Sequence, residues 1–395
     1  MREVLRLGIA GLGVASTQIL PPISTLPFIK VTAAADTRTD ALAKFRETYK
    51  GETFASVEAM CASASVDAVY VATPSQLHAE HAITAANHKK HVIVEKPMAL
   101  SIAECEAMNQ AAEKNQIKLL CGHTHSFDPP VRKIREIVKS GELGKLCMIN
   151  TWNYNEFMYR PRMRHELATS RGVVLNQGPH HVDIVRLIGG GMVRSIRAMT
   201  GIWDQARGYE GSYTCYLEFE DGTPATLVYS GYGFFDTAEL YSWVGEGGQP
   251  RDPATNLNVR RQLREVQSPE DEERLKEGMR FGGKREGEFS HIWVGERKQP
   301  FFGFTLVSCE RGDIRQTPDG LFIYGENERR EITLPAGRRG REAEIEELYN
   351  SVVHGRPVFH DGRWGAATLE VCLAMLESAK QRKEIFLAHQ VPSPE

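Results

Sequence analysis

The sequence predicts two domains of different class. Residues 1–125 read as a doubly wound α/β domain on a parallel sheet, and residues 126–395 as an α+β domain on a large, mostly antiparallel open sheet. Three observations predict this. Over the first third, short apolar runs alternate with segments of helical period, the pattern of a parallel sheet covered on both faces. After about residue 145 strand-like alternation follows strand-like alternation, with turn signals such as Glu220-Asp221-Gly222 between, which suits hairpins. A length of 395 residues leaves room for two well-filled cores.

In order, residues 5–10 read as the first strand, followed by a helix near 16–24 that Pro21-Pro22 shortens or kinks. Strands are expected at 30–35, 66–72, 91–94 and 118–121, and helices at 40–49, 77–87 and 102–114, with Asp40 as a cap. In the second part a strand is expected over 145–153, a basic aromatic loop to Arg171 and a helix over 175–187. Strands follow at 195–200, 212–220, 225–232, 301–307 and 321–324, and helical sequence closes the chain over 341–383. The stretch 245–287 is polar and glycine-rich. It reads as a solvated insertion with one exposed helix near 269–278, and the competing reading is a lid or an arm.

Lys+Arg of 48 against Asp+Glu of 51 gives a formal net charge of −3, which offers nothing to nucleic acid or to an anionic membrane. No apolar run is long enough for a membrane span. Met1-Arg2-Glu3-Val4 passes directly into a strand, so no signal peptide is expected. Seven dispersed cysteines contain no CxxC pair. They suit reduced core thiols in a cytoplasmic protein and not a structural zinc site.

Gly11-Leu12-Gly13-Val14 follows the first strand. Gly11 permits the tight turn, and Gly13 with Val14 opens the helix whose positive end receives a pyrophosphate. Ser16 stands where a third glycine is usual, so looser helix–strand packing is expected there. Asp36 ends the second strand, 23 residues after Gly13, where a carboxylate accepts ribose hydroxyls and repels a 2′-phosphate. That favours NAD; Arg38 keeps NADP open, because it can pair with such a phosphate or stack on adenine.

Gly11-Leu12-Gly13, Ala72-Thr73-Pro74-Ser75 with His78, Glu95-Lys96-Pro97 and Asn176-Gln177-Gly178-Pro179-His180-His181-Val182-Asp183 occur in order. This set resembles the Gfo/Idh/MocA oxidoreductases, and the resemblance spans nearly the whole chain. It implies that Lys96 is the proton-transfer residue beside the nicotinamide, and that Thr73, Pro74, His78, Glu95 and Pro97 line the cofactor cleft. Physical chemistry gives Lys96 the same role. Oxidising an alcohol removes a hydride from carbon and a proton from oxygen. A lysine beside a cationic ring and partly desolvated has its pKa lowered and can act as base. Asn176, His180 and Asp183, spaced i, i+4, i+7, are expected on one helix face. His180 is read as a second catalytic group that binds the reacting hydroxyl or assists Lys96, and Asn176 as a substrate ligand. The family pattern commonly has aspartate at position 176; asparagine takes no proton, so that relay is absent. Asp183 is counted with the substrate-binding residues, where it either orients His180 or binds backbone.

Arg160, Arg162 and Arg164, with Tyr159, form a basic aromatic run suited to a flat anionic ring. At least one of these arginines is expected to hold substrate. His123 and His125 end the last parallel strand as further substrate-binding candidates, and no metal site is expected. Together these features resemble the phthalate 4,5-cis-dihydrodiol dehydrogenases. That implies NAD-dependent oxidation of an aromatic dicarboxylate cis-dihydrodiol, and a homodimer or homotetramer. The competing readings are a family dehydrogenase for an inositol, sugar or sugar acid, and a nonenzymatic NAD-binding sensor or scaffold.

Overall fold

The computed structural model describes residues 3–286, 296–335 and 340–393. They form two compact units. The first holds 3–123, 273–286 and 341–369, and the second 124–272, 296–335 and 370–393. The chain therefore returns to its first unit twice. The sequence division at 125 put both returning segments in the second domain, because period alone does not say which core an apolar face covers.

The first unit alternates β1 (Leu5–Ala10), α1 (Val14–Ile23), β2 (Ile29–Ala35), α2 (Thr39–Tyr49), β3 (Glu52–Phe54), α3 (Val57–Ala62), β4 (Ala68–Val71), α4 (His78–Asn87), β5 (His91–Glu95), α5 (Ile102–Asn115) and β6 (Leu119–Gly122). The sheet is parallel throughout, in the order β3-β2-β1-β4-β5-β6. Strand order reverses between β1 and β4, and the crevice for a ligand lies at the carboxyl ends there. β4 is entirely buried, as apolar strands covered on both faces must be. Pro21 and Pro22 fall in the last turn of α1. Asp40 lies in the first turn of α2 and does not cap it; Arg38 holds the N-cap position. Ser101 caps α5, with Glu104 N–H donating to Ser101 Oγ at 3.3 Å, and Glu104 Oε2 accepts from Leu100 N–H at 2.9 Å and from the Ser101 hydroxyl at 3.1 Å.

The second unit contains α6 (Pro129–Ser140), β7 (Leu146–Tyr154), α7 (Arg164–Thr169), α8 (Gly178–Gly189), β8 (Val193–Gly201), β9 (Ser212–Phe219), β10 (Pro224–Ser230) and α9 (Thr255–Glu265). Further along the chain come α10 (Pro269–Gly278), β11 (Phe304–Cys309), β12 (Gly312–Thr317), β13 (Gly320–Gly325), β14 (Arg329–Thr333), α11 (Gly340–His354), α12 (Gly362–Gln381) and β15 (Ile385–Phe386); of these, α10 from residue 273, α11 from 341 and α12 up to 369 belong to the first unit, and the rest to the second. Its nine strands run β14-β13-β12-β11-β7-β10-β9-β8-β15, and every pair but β7–β10 is antiparallel. One face buries Ile149, Thr151, Leu217, Leu227, Tyr229 and Val307. The opposite face leaves Met148, Trp152, Met199 and Tyr216 exposed.

The stretch read as a solvated insertion is folded in its described part. It adds the helix α9, and beyond α10 Met279 and Phe281 are buried. Phe281 joins the apolar core of the first unit with Leu12 and Phe45. A bulky aromatic at a position of helix exit is the signal that polarity averaged over the stretch concealed.

Candidate active site

The nucleotide turn lies at the strand-order reversal. Gly11 has φ +92°, and a Cβ there would come 2.8 Å from the Ala72 carbonyl oxygen, so β1 and β4 approach too closely for a side chain. A Cβ on Gly13 would meet nothing within 4 Å, which leaves open space where a pyrophosphate has to approach. α1 has neither a side-chain cap nor an acidic residue in its first turn, so its positive end is kept for an anion. The residues present therefore fit a dinucleotide. Ser16 is fully buried, and its hydroxyl donates to the Gly11 carbonyl at 2.5 Å, bracing the turn where the third glycine would have given close packing.

Asp36 Oδ2 accepts from Leu12 N–H at 2.7 Å and Oδ1 from Arg38 N–H at 2.8 Å. The Arg38 guanidinium turns back on the protein, donating to the Leu12 carbonyl at 2.5 Å and the Phe281 carbonyl at 3.4 Å. Phe281 N–H in turn donates to the Gly13 carbonyl at 3.3 Å. The segment at 281 thus closes on the glycine turn, a contact that no sequence motif announces.

Thr73 and Pro74 follow β4, and Thr73 Oγ1 pairs with His81 Nδ1 at 2.9 Å. His78 differs from its expected place on the cofactor cleft. It is buried, with Nδ1 2.9 Å from the Pro97 carbonyl and Nε2 2.9 Å from the Thr73 carbonyl. Both ring nitrogens face carbonyl oxygens, one in the Thr73-Pro74 turn and one in the Lys96-Pro97 turn, and burial pulls its pKa down against the opposing pull of those two carbonyls. The Lys96–Pro97 peptide is cis, and Lys96 is partly exposed at the end of β5.

Glu95 also differs from its expected place. Its carboxylate is buried and turned inward to an ion pair with Arg341, while the Tyr70 hydroxyl lies 3.1 Å from its Oε1. Arg341 donates to Tyr70 Oη at 2.6 Å and reaches Glu344 Oε2 at 3.4 Å. Glu344 is fully buried. One guanidinium thus serves two carboxyls. Burial pushes Glu344 up to about 7; Arg341 pulls against this, and the Glu95 charge adds to it. Arg341 and Glu344 escaped sequence reasoning because Glu95 lies some 250 positions away in the chain, and Tyr70 because it meets both of them from a different strand.

In the second unit α8 begins at Gly178, so Asn176 lies before the helix and not on its face. Asn176 is partly exposed and accepts from Gln177 Nε2 at 2.8 Å. His180 lies on α8 with its ring centroid 4.9 Å from that of His125, edge-on, and 5.2 Å from that of Phe302. Asp183 is fully buried, which removes it from the substrate ligands. His181 bridges Thr151 at 2.8 Å and Tyr213 at 2.9 Å, and burial lowers it to about 3, so it is a neutral member of the core. His123 is buried with the first unit. His125 pairs through Nδ1 with Asp128 Oδ2 at 3.0 Å and stacks on Phe302 at 4.6 Å. An aspartate–histidine pair is therefore present beside His180, supplied by Asp128 and not by position 176. The spacing His-x-x-Asp was its only signal.

The basic run is sorted by its neighbours. Arg160 Nε donates to Glu156 Oε1 at 2.8 Å, and its guanidinium lies 3.9 Å from Glu246. Burial alone would raise Glu156, but Arg160 and Arg251 outweigh it and hold the carboxyl at about 2. Arg162 lies over the Phe157 ring at 4.0 Å. Arg164 is exposed at the start of α7. Tyr159 is covered by the Arg260 guanidinium at 3.8 Å.

The first unit matches the model of the oxidoreductase family with an NAD-binding Rossmann fold over residues 5–123, and residues 131–248 match the GFO/IDH/MocA C-terminal domain. The 1-carboxy-3-chloro-3,4-dihydroxycyclohexa-1,5-diene dehydrogenase of Comamonas testosteroni is 34% identical over 385 residues, 95% of each chain. The chain belongs to the Gfo/Idh/MocA family of NAD-binding oxidoreductases. A putative dehydrogenase from Bordetella bronchiseptica RB50 superimposes with a TM-score of 0.90 at 37% identity, over 97% of this chain and 100% of that one. The myo-inositol 2-dehydrogenase of Thermotoga maritima is 28% identical over 249 residues, 61% of this chain and 74% of its own.

Proposed function

We propose that the protein oxidises the cis-dihydrodiol of a carboxylated aromatic ring, of the phthalate 4,5-cis-dihydrodiol type, to the dihydroxyaromatic acid. The observation that carries this reading is the 34% identity, along 95% of both chains, to an enzyme whose name describes a cyclohexadiene with one carboxyl and two hydroxyls. The arginine cluster around Phe157 supports it, because neutral polyols need no cation.

Bound NAD supplies the hydride acceptor. The Lys96 amine takes the proton of one hydroxyl while the hydrogen on the same carbon leaves as hydride. The C–O bond becomes a carbonyl, and the hydroxyketone tautomerises to a catechol. Aromatisation makes the oxidation effectively one-way. Gly11, Gly13 and Val14 hold the pyrophosphate, Asp36 the ribose, and Thr73, Pro74 and Pro97 line the cofactor cleft. His180, steadied by the His125–Asp128 pair, and Asn176 bind substrate hydroxyls.

The exposed apolar face of the second sheet, with Trp152 and Met199, is proposed as the contact with a second copy of the chain, giving a homodimer or a homotetramer. The test of function is a screen for NADH formation. Cis-dihydrodiols of phthalate isomers and benzoate would be compared with uncarboxylated dihydrodiols, inositols and sugars, each with NAD and NADP. Turnover concentrated on the carboxylated dihydrodiols with NAD is expected. Turnover confined to inositols or sugars would replace this reading with the one that the Thermotoga relative suggests.

A further inference from the structure

The arginines of the second unit are compensated in different ways. Arg207 is bidentate to Glu272, with two bonds of 2.8 Å. Arg160 is held by Glu156, and Arg251 by Glu156 and Asp236. Arg260 has no carboxylate partner among the described residues, but its guanidinium is sandwiched between Tyr159 at 3.8 Å and Phe234 at 4.0 Å and donates to the Tyr232 and Gly233 carbonyls. Arg162 has neither arrangement. One face of its guanidinium covers Phe157 at 4.0 Å, its Nε is buried without a hydrogen-bond partner, and among the described residues no carboxylate lies within ion-pair distance. Glu272 accepts from the Arg162 backbone N–H at 2.8 Å, but that carboxylate is already spent on Arg207.

The surroundings deepen this deficit. Burial first and then the charge of Arg160 pull Arg162 down to about 10; Glu166 pulls the other way, and Arg207 adds a smaller push down. A half-buried cation between two others is costly unless something anionic joins it. The cluster adjoins the histidine helix. Tyr229, which interacts electrostatically with both Arg160 and Arg162, has its ring centroid 6.3 Å from that of His181, the residue after His180. Phe157 is buried beneath the Arg162 guanidinium, so an anion at Arg162 would meet the guanidinium on the side away from that ring, within the same unit as His180.

We propose that Arg162 is the cation that receives a carboxylate of the substrate, with Phe157 as the floor beneath it. Arg160 does the opposite; neutralised by Glu156, it shapes the wall. The inference rests on the proposed function for the identity of the ring, but requires only that the ligand be a carboxylate.

The test uses the full-length protein loaded with NADH, with protocatechuate and phthalate as probes in titration calorimetry, and turnover of a carboxylated and an uncarboxylated cis-dihydrodiol. Arg162→Gln is expected to weaken carboxylate binding and to lower kcat/KM for the carboxylated diol about 30- to 100-fold, leaving the uncarboxylated diol within about twofold. Arg162→Lys should recover part of the loss, and the surface control Arg363→Gln should change neither. Because the substitution removes an uncompensated charge, the melting temperature of Arg162→Gln should stay level or rise, which separates ligand loss from misfolding. Equal losses on both diols, or unaltered carboxylate binding, overturn the assignment. If wild type turns over only sugar acids and Arg162→Gln loses those selectively, the ring assignment fails and Arg162 stands. If wild type prefers the carboxylated diol and Arg162→Gln keeps that preference, Arg162 fails and the function stands.

Discussion

Glu344→Gln should make stability almost independent of pH where the wild type loses it. The side chain is fully buried beside Glu95, and the two share the single positive charge of Arg341. Burial raises its carboxyl from the ordinary 4.5 to about 7. Each tenfold change in proton affinity is worth about 1.4 kcal/mol. A carboxyl held near 7 is therefore linked to about 3 kcal/mol. The sign follows from which state binds the proton. The folded protein holds it more tightly than the unfolded chain, so the contribution is full below about pH 4.5 and is lost as pH rises to about 7. Glutamine keeps the neutral shape at every pH and leaves Arg341 with Glu95 alone. Urea unfolding of both proteins at pH 5, 6, 7 and 8 reads this directly, as the variant minus the wild type. The difference should be about 1 kcal/mol at pH 5 and grow to about 3 kcal/mol in favour of the variant at pH 8. A difference that stays flat from pH 5 to 8 would refute the claim that two carboxyls compete for one guanidinium.

Asp36→Ala removes the acceptor for ribose hydroxyls and releases Arg38; kcat/KM with NAD should fall about 10-fold and the NAD-to-NADP preference should shrink by more than that, read from initial rates with each cofactor. Trp152→Glu puts a charge on the exposed sheet face, and light scattering after gel filtration should show a smaller particle than the wild type; an unchanged mass would move the contact elsewhere.

The parallel sheet was legible because its code is local. Short apolar runs such as Ala68–Val71 can only be strands covered on two faces, and glycines at 11 and 13 in the first turn fix where the sheet opens. What the chain assembles from distant parts was hidden. Arg341 and Glu344 meet Glu95 across the sequence, and Phe281 closes on the glycine turn from a segment whose average polarity suggested solvent. Asn176 was placed on a helix because i, i+4 spacing looks alike in a helix and in the turn before it; Gly178-Pro179 marks where the helix starts. The three arginines looked equivalent in sequence. Only their partners, Glu156 for Arg160 and a bare aromatic ring for Arg162, tell them apart.

Catalysis is ascribed to proton transfer at Lys96, and the most direct measurement is a single turnover of Lys96→Met mixed with NAD and a carboxylated cis-dihydrodiol. Cofactor affinity should be retained while the rate of NADH appearance falls by about 10²- to 10⁴-fold, the contribution of one positioned acid–base group. NADH appearing at the wild-type rate would contradict that role for Lys96.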